Sequence, residues 1–325
     1  MNNMEKILTV SIAAYNVETF IEEALDSFLV PEIMNKIEVL VINDGGTDQT
    51  MEKAKKYADQ YPDTFKLVYK ENGGWGSTVN YGIKHATGKY FKLLDGDDYF
   101  EKDNLIAFIE LLEKTSADLV HTDFVTFEDI TRKIVVETSY AERYAQNEML
   151  DWEDLEIDYM IAMHACTFRT KMLQESDVHV HEKLFYTDNE YVVRALASVK
   201  SILFSDLKIY WYRVGRAGQS VSIEGYRKHY TDHIAVTLTL LSIYKNANIS
   251  DKLRKILYDR IFVIVDIQYD IFLKLKPSMR HMKELNHFDR ILRDKYPEFY
   301  QTTRRRIKTF RKFGALAYPF VLYRR

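Results

Sequence analysis

"GKYFKLLDGDDYF", residues 88–100, runs an apolar stretch directly into three aspartates within four positions. Asp95, Asp97 and Asp98 repel one another, and burial beside Leu93, Leu94 and Phe100 raises the cost of their charge unless a cation or hydrogen-bond donors compensate. A solvated acidic turn is the simpler alternative, since Asp and Gly serve turns for backbone reasons alone. The flanking sequence decides between them.

Upstream, β-rich runs alternate with helical patterns. "ILTVSI" (7–12), "IEVLVI" (37–42), "FKLVYK" (65–70) and "KYFKLL" (89–94) read as strands. Between them, "VETFIEEALDSFL" (17–29), "TDQTMEKAKKYADQY" (47–61) and "STVNYGIKHA" (77–86) read as helices. Strands joined by helical crossovers make right-handed βαβ units and a mainly parallel sheet, so the fold class is α/β. Ligands of such sheets bind beyond the carboxyl ends of the strands, where "NDGGTD" and "DGDD" fall. From about residue 118 the strands shorten ("ADLVHTDFVTF", "KIVVET", "LKIYWYRV"), and residues 226–298 read as helical with apolar residues at three and four spacing. That stripe is read as packing.

The chain has 325 residues, 46% of them hydrophobic, enough for one large domain and an addition, which excludes disorder. A net charge of -3 from 45 basic and 48 acidic residues gives no whole-chain argument for nucleic acid. The single cysteine, Cys166, excludes an internal disulfide and a four-cysteine zinc site and fits a reducing cytosol. The N-terminus lacks a signal-peptide layout and no segment reaches the ~18 apolar residues of a membrane span, so a soluble or peripheral cytoplasmic protein is expected.

The last stretch, 301–325, carries eight basic residues and no acidic one, interleaved with Ile307, Phe310, Phe313, Leu316, Phe320 and Leu322. It is read as an interfacial helix on anionic lipid at the inner face of the cell membrane, ahead of a helix docked on the protein or an RNA-binding tail.

"VINDGGTDQT" ends a strand with Asp44, which can accept from a base N–H or ribose hydroxyl, and two glycines that allow close approach. "ENGGWGSTVNYGI" (71–83) is a second Gly-rich loop opening a helix, suited to a phosphate or sugar. Asp95 and Asp97 alternate in a short turn, so both can reach one Mg²⁺ or Mn²⁺ shared with substrate phosphates. An EF-hand fits poorly, because "DGDDYFEKDNLI" lacks Gly at its sixth place and Glu at its twelfth. A phosphatase-like aspartate nucleophile would leave both Gly-rich loops unexplained. Asp188 and Glu190 open a helical run, either as charges favoured by the helix dipole or with Asp188 as a general base. Arg213 and Arg216 sit among small residues suited to a diphosphate.

In this order, "VSIAAYN", "NDGGTD", "NGGWGSTVNYG", "LDGDD", "TDNE" and "YWYRVGRAGQSVS" resemble the motifs of the family 2 glycosyltransferases with the GT-A fold, over residues 5 to about 222. The resemblance implies a catalytic domain over 1–222, followed by a helical region, 223–300, and the basic tail, 301–325. It implies an inverting, metal-dependent transfer of a sugar from a nucleotide sugar, UDP-linked by the family's habit, to a hydroxyl of a glycan, glycolipid or glycoprotein. Ala14, Tyr15, Asn16 and Asp44 would surround the nucleotide, with Gly74, Asn80, Arg213 and Arg216 completing the donor site. Asp95 would approach the ribose or sugar, Asp97 would hold Mn²⁺ or Mg²⁺, and Asp188 would be the base. Asn43, Gly46, Ala14, Val79 and Thr187 depart from the family pattern and bear on which sugar is taken. A homo-oligomer is allowed and nucleic acid is not expected; the competing class is a non-catalytic partner or glycan-binding scaffold that keeps the fold.

Overall fold

The computed structural model describes residues 5–176, 178–216, 222–301 and 305–313. The chain divides into two compact units, residues 1–156 with 161–217, and residues 157–160 with 218–325.

The first unit is a ten-stranded sheet flanked by helices. Its opening half follows the expected alternation: β1 (Leu8–Ala14), α1 (Ile21–Asp26), β2 (Ile37–Asp44), α2 (Thr50–Gln60), β3 (Phe65–Lys70), α3 (Trp75–His85) and β4 (Tyr90–Asp95). All ladders among β1–β4 are parallel. Leu8, Val10, Ile12, Val39 and Val41 are fully buried, because helices cover such strands on both faces; each contributes roughly 1.5–3 kcal/mol. α1 is shorter than the apolar pattern suggested, since turns occupy residues 18–20.

The second half is mixed. β5 (Tyr99–Phe100), α4 (Lys102–Lys114), β6 (Leu119–Glu128), β7 (Ile134–Glu137), β8 (Met149–Asp151), β9 (Cys166–Arg169), α5 (Thr170–Glu175), α6 (Thr187–Leu196) and β10 (Ser201–Val214) follow in order. β9 lies antiparallel between β4 and β6, while β10 runs parallel to β6. Lys92, in the middle of β4, is fully buried and donates to the carbonyls of His164 (2.8 Å) and Cys166 (3.1 Å). Without a carboxylate partner its ammonium is costly there, and burial lowers its pKa to about 7.

Register positions the site. Ala13 stands opposite Asp95, Ala14 opposite Asn43, and Asp44 opposite Lys70, so the carboxyl ends of the four parallel strands share one edge. β5, directly after the aspartates, pairs antiparallel with β10 through Tyr99–Trp211 and Phe100–Tyr210. That pairing carries residues 213–216 to the same edge.

The second unit holds α7 (Ile223–Lys228), α8 (Tyr230–Asn246), α9 (Asp251–Lys274), α10 (Met279–Lys295) and α11 (Arg305–Phe313). Ser222, Ser250 and Ser278 cap three of them by accepting from the backbone N–H three residues on. The stripe of α9, including Ile256, Leu257, Ile261, Ile264 and Val265, is buried, as packing requires. Buried His233 Nδ1 hydrogen-bonds Gln268 Oε1 at 2.8 Å.

In α11, Ile307 and Phe310 are buried, and Arg311 pairs with Asp289 (2.7 Å) over the ring of Tyr300. Ile307 and Phe310 are thus spent within the unit, while Phe313 of the same helix is 56% exposed. The rest of the tail read as lipid-binding, 302–304 and 314–325, lies outside the described residues. Among the described residues no helix is long and apolar enough to cross a membrane.

Candidate active site

Asp44 ends β2 and anchors the second Gly-rich loop. Its Oδ1 accepts from Lys70 Nζ (2.6 Å), Gly73 N (2.8 Å) and Ser77 Oγ (3.1 Å), and its carbonyl accepts from Asn72 (2.8 Å). Among the described residues all its side-chain bonds go to Oδ1, so Oδ2 is the oxygen left for a ligand. Asn43 closes the neighbouring turn by accepting from Gly46 N at 2.7 Å, the task its carboxylate counterpart would have performed. Asn16 (φ +52°) joins the first and second strand ends by accepting from Thr47 N at 2.9 Å. Ala14 is buried and Tyr15 is 52% exposed, leaving an aromatic face beside Asp44's strand end.

Gly74 adopts φ +78° as it caps α3, a conformation that favours glycine. A Cβ on Gly76 would collide with the carbonyl of His181, so α3 packs directly on the segment before α6. Asn80 completes that junction: its Oδ1 accepts from Val180 N and its Nδ2 donates to Val180 O, both at 2.9 Å. Asn80, read from the sequence as a donor contact, clamps these two chain segments together.

Trp75, the first residue of α3, donates its indole Nε1–H to Asp95 Oδ1 at 2.8 Å. Asp95 is raised to about 7 by burial and then by the charge of Asp97, with the Trp75 bond opposing. Asp98 is fully internal and accepts from Tyr210 Oη and Arg213 N, both at 2.7 Å; burial, then Asp97 and Asp95, push it well above the usual carboxylate range. It therefore ties β5 and the aspartate turn to β10. Asp97 Oδ2 pairs with Arg216 Nη2 at 2.7 Å.

Arg213, read from the sequence as a diphosphate contact, lies enclosed at the end of β10. Only 2% of its side chain is exposed, and its guanidinium is committed to Asp129 (2.7 Å), Glu23 (2.5 Å) and the Asp97 carbonyl (2.6 Å). These contacts tie the strand end to α1 and to the turn after β6. Arg216 is the arginine that reaches the aspartates from the open side.

Asp188 lies in the first turn of α6, where the helix dipole favours a carboxylate, and takes Asn189 Nδ2 at 3.3 Å. Its charge is among those that raise Asp95 and Tyr212. Glu190, two residues on, is buried and bonded to His181 and Arg194. The two acids therefore differ: Glu190 is enclosed in a network, and Asp188 is partly exposed at the helix N-terminus.

Ligand atoms of Asp95, Asp98 and His164 lie within 4.8 Å of one another, close enough to share a metal ion. His164 is held between Tyr210 and Tyr212, its Nδ1 is shielded and unpartnered, and burial followed by Lys92 keeps it neutral, with a pKa lowered to about 3. Hard oxygens, a neutral imidazole and carboxylates short of compensating charge fit a divalent cation. Trp75, His164, Tyr210 and Tyr212 escaped sequence reading; only Trp75 carried a signal, in its place between glycines 74 and 76.

A sheet whose parallel strand ends gather acidic and Gly-rich loops defines an α/β domain with a ligand-type edge at its strand carboxyl ends. The chain belongs to the family described as Glycosyl transferase family 2, whose family model matches residues 9–176. Over 247 residues it is 28% identical to the minor teichoic acid biosynthesis protein GgaB of Bacillus subtilis, covering 73% of this chain and 27% of that protein. Over 213 residues it is 28% identical to the putative glycosyltransferase EpsH of the same organism, covering 59% of this chain and 58% of EpsH. The chain thus spans from about a quarter to just over half of these relatives. Crystalline S. aureus TarS shares the GT-A fold, with a TM-score of 0.70 at 20% identity over 97% of this chain and 55% of TarS. Its fragment 1–349 in complex with UDP-GlcNAc matches at 0.63 and 19% identity, over 95% of this chain and 92% of the fragment.

Proposed function

We propose that the protein is a metal-dependent, inverting glycosyltransferase that moves a sugar from a UDP-linked donor to a hydroxyl of a glycan acceptor in cell-surface polymer synthesis. The observation that carries this reading is the acidic cluster at the carboxyl end of β4, where ligand atoms of Asp95, Asp98 and His164 lie within 4.8 Å of one another and Asp97 stands in the same turn, beside the Gly-rich loop anchored by Asp44. The nucleotide reading draws on TarS, which has been crystallised with UDP-GlcNAc; the polymer reading draws on GgaB, a teichoic acid biosynthesis protein.

In this scheme Asp44 Oδ2 and Tyr15 receive the base, Asp95 orients the ribose or sugar, and Arg216 takes the diphosphate. Asp97 would hold Mn²⁺ or Mg²⁺ together with Asp95, the carboxylate that also belongs to the Asp95–Asp98–His164 cluster, and the ion would supply charge compensation for the departing diphosphate. Asp188 accepts the proton of the acceptor hydroxyl as that oxygen attacks the anomeric carbon from the opposite face, which inverts its configuration. Tyr212, whose hydroxyl is held protonated by burial and by the surrounding carboxylates, supplies a donor on the same side.

Transfer or hydrolysis of UDP-sugars with and without Mn²⁺ tests the reading across the wild type, Asp97→Ala and Asp188→Asn. Equal rates in all three would sink it. A peripheral position on an anionic membrane rests on the eight basic residues of 301–325, and liposome flotation unchanged by deletion of 301–325 would remove it.

A further inference from the structure

Two arginines three residues apart at the end of β10 are used in opposite ways. Arg213 is enclosed and shared among Glu23, Asp129 and the Asp97 carbonyl. Arg216 is 30% exposed, rests over the Phe20 ring at 5.4 Å, and meets one carboxylate oxygen, Asp97 Oδ2, at 2.7 Å. Its Nε is shielded and, among the described residues, has no hydrogen-bond partner. A guanidinium with five donors is thus spent on a single acceptor.

We propose that Arg216 and a divalent cation are alternative partners of Asp97, so that the cation binds together with the donor diphosphate and only weakly before it. This rests on the metal-dependent reading above. A guanidinium and a dication on one small carboxylate repel each other, so the cation must displace Arg216 to use Asp97 Oδ2. A diphosphate offers the displaced guanidinium a two-pronged anionic acceptor, a better match to its geometry than one carboxylate oxygen. Nucleotide and cation then each relieve the other's cost, and the coupling is reciprocal. Arg213, fixed in its own network, holds the turn in place during the exchange.

Mn²⁺ binding to the full chain, followed by loss of the free-ion electron paramagnetic resonance signal, tests this without turnover. Arg216→Met, which keeps the side chain's length and removes its charge, is expected to bind Mn²⁺ about three- to tenfold more tightly than wild type in the absence of nucleotide. The tightening of Mn²⁺ produced by adding UDP should be large in the wild type and reduced in Arg216→Met, while Arg216→Lys, which keeps the charge but not the fork, should stay within about twofold of wild type in nucleotide-free Mn²⁺ affinity and show a smaller UDP-induced tightening. If the wild type binds Mn²⁺ in the presence of UDP but Arg216→Met alone shows no gain in nucleotide-free affinity, the inference falls and the metal-dependent reading stands. If no form binds Mn²⁺ with or without UDP, both fall.

Discussion

The indole of Trp75 and the carboxylate of Asp95 meet at 2.8 Å, linking the start of α3 to the end of β4 across the mouth of the site. The bond opposes the burial and the Asp97 charge that favour a protonated Asp95. Trp75→Phe keeps the ring and removes the N–H; a hydrogen bond to a charged group is worth about 1.5–3 kcal/mol, so KM for the donor should rise by about tenfold or more. Steady-state kinetics over donor concentration check this, and unchanged KM would show that Asp95 is positioned by other contacts.

Asp188→Asn retains shape and the N-terminal position in α6 but cannot take a proton. The expected result is a fall in kcat of about 10²- to 10⁴-fold, with stabilisation by UDP-sugar preserved. Thermal shift and kinetics on one preparation separate binding from chemistry, and loss of both together would indicate a structural role.

Removing Arg213 should read out as stability. Arg213→Ala strands Asp129 and Glu23 and opens the end of β10; since Glu23 is partly solvated, the cost should be about 2 kcal/mol. Urea unfolding measures it. A variant with wild-type stability and lost donor binding would restore Arg213 to the diphosphate.

His233 is buried neutral, its pKa lowered to about 4 by burial, whereas in the unfolded chain it titrates near ~6.5. Below ~6.5 the unfolded state takes up a proton that the folded state refuses, so stability should fall as pH drops from about 6.5 towards 4, by up to roughly 3 kcal/mol. Urea midpoints at pH 7.5 and 5 should differ less in His233→Gln than in the wild type. An identical pH dependence in both proteins would assign the acid sensitivity to other groups.

How much was legible in the sequence differs by element. Strands β1, β2 and β4 could be read because a parallel strand buried on both faces is a nearly unbroken apolar run, a pattern that survives in one dimension, while the half-exposed edge strand β3 was read from its alternation. The aspartate turn was legible as a charge problem, and its position after the fourth strand set it at the ligand-binding edge. Asp98 could not be assigned, since its partners Tyr210 and the Arg213 amide are over a hundred residues away.

The order of βαβ units, the acidic and Gly-rich loops at their ends and the family membership belong to the sequence itself, because local hydrophobic period and turn chemistry encode them. Which charged groups face a ligand was decided only by tertiary structure. Asp188 and Glu190 stand two residues apart, as Arg213 and Arg216 stand three apart, yet in each pair one is buried in a network and the other is partly exposed. The difference comes from the direction of the helix face and from the β5–β10 pairing, which consumes Arg213 and presents Arg216 to Asp97.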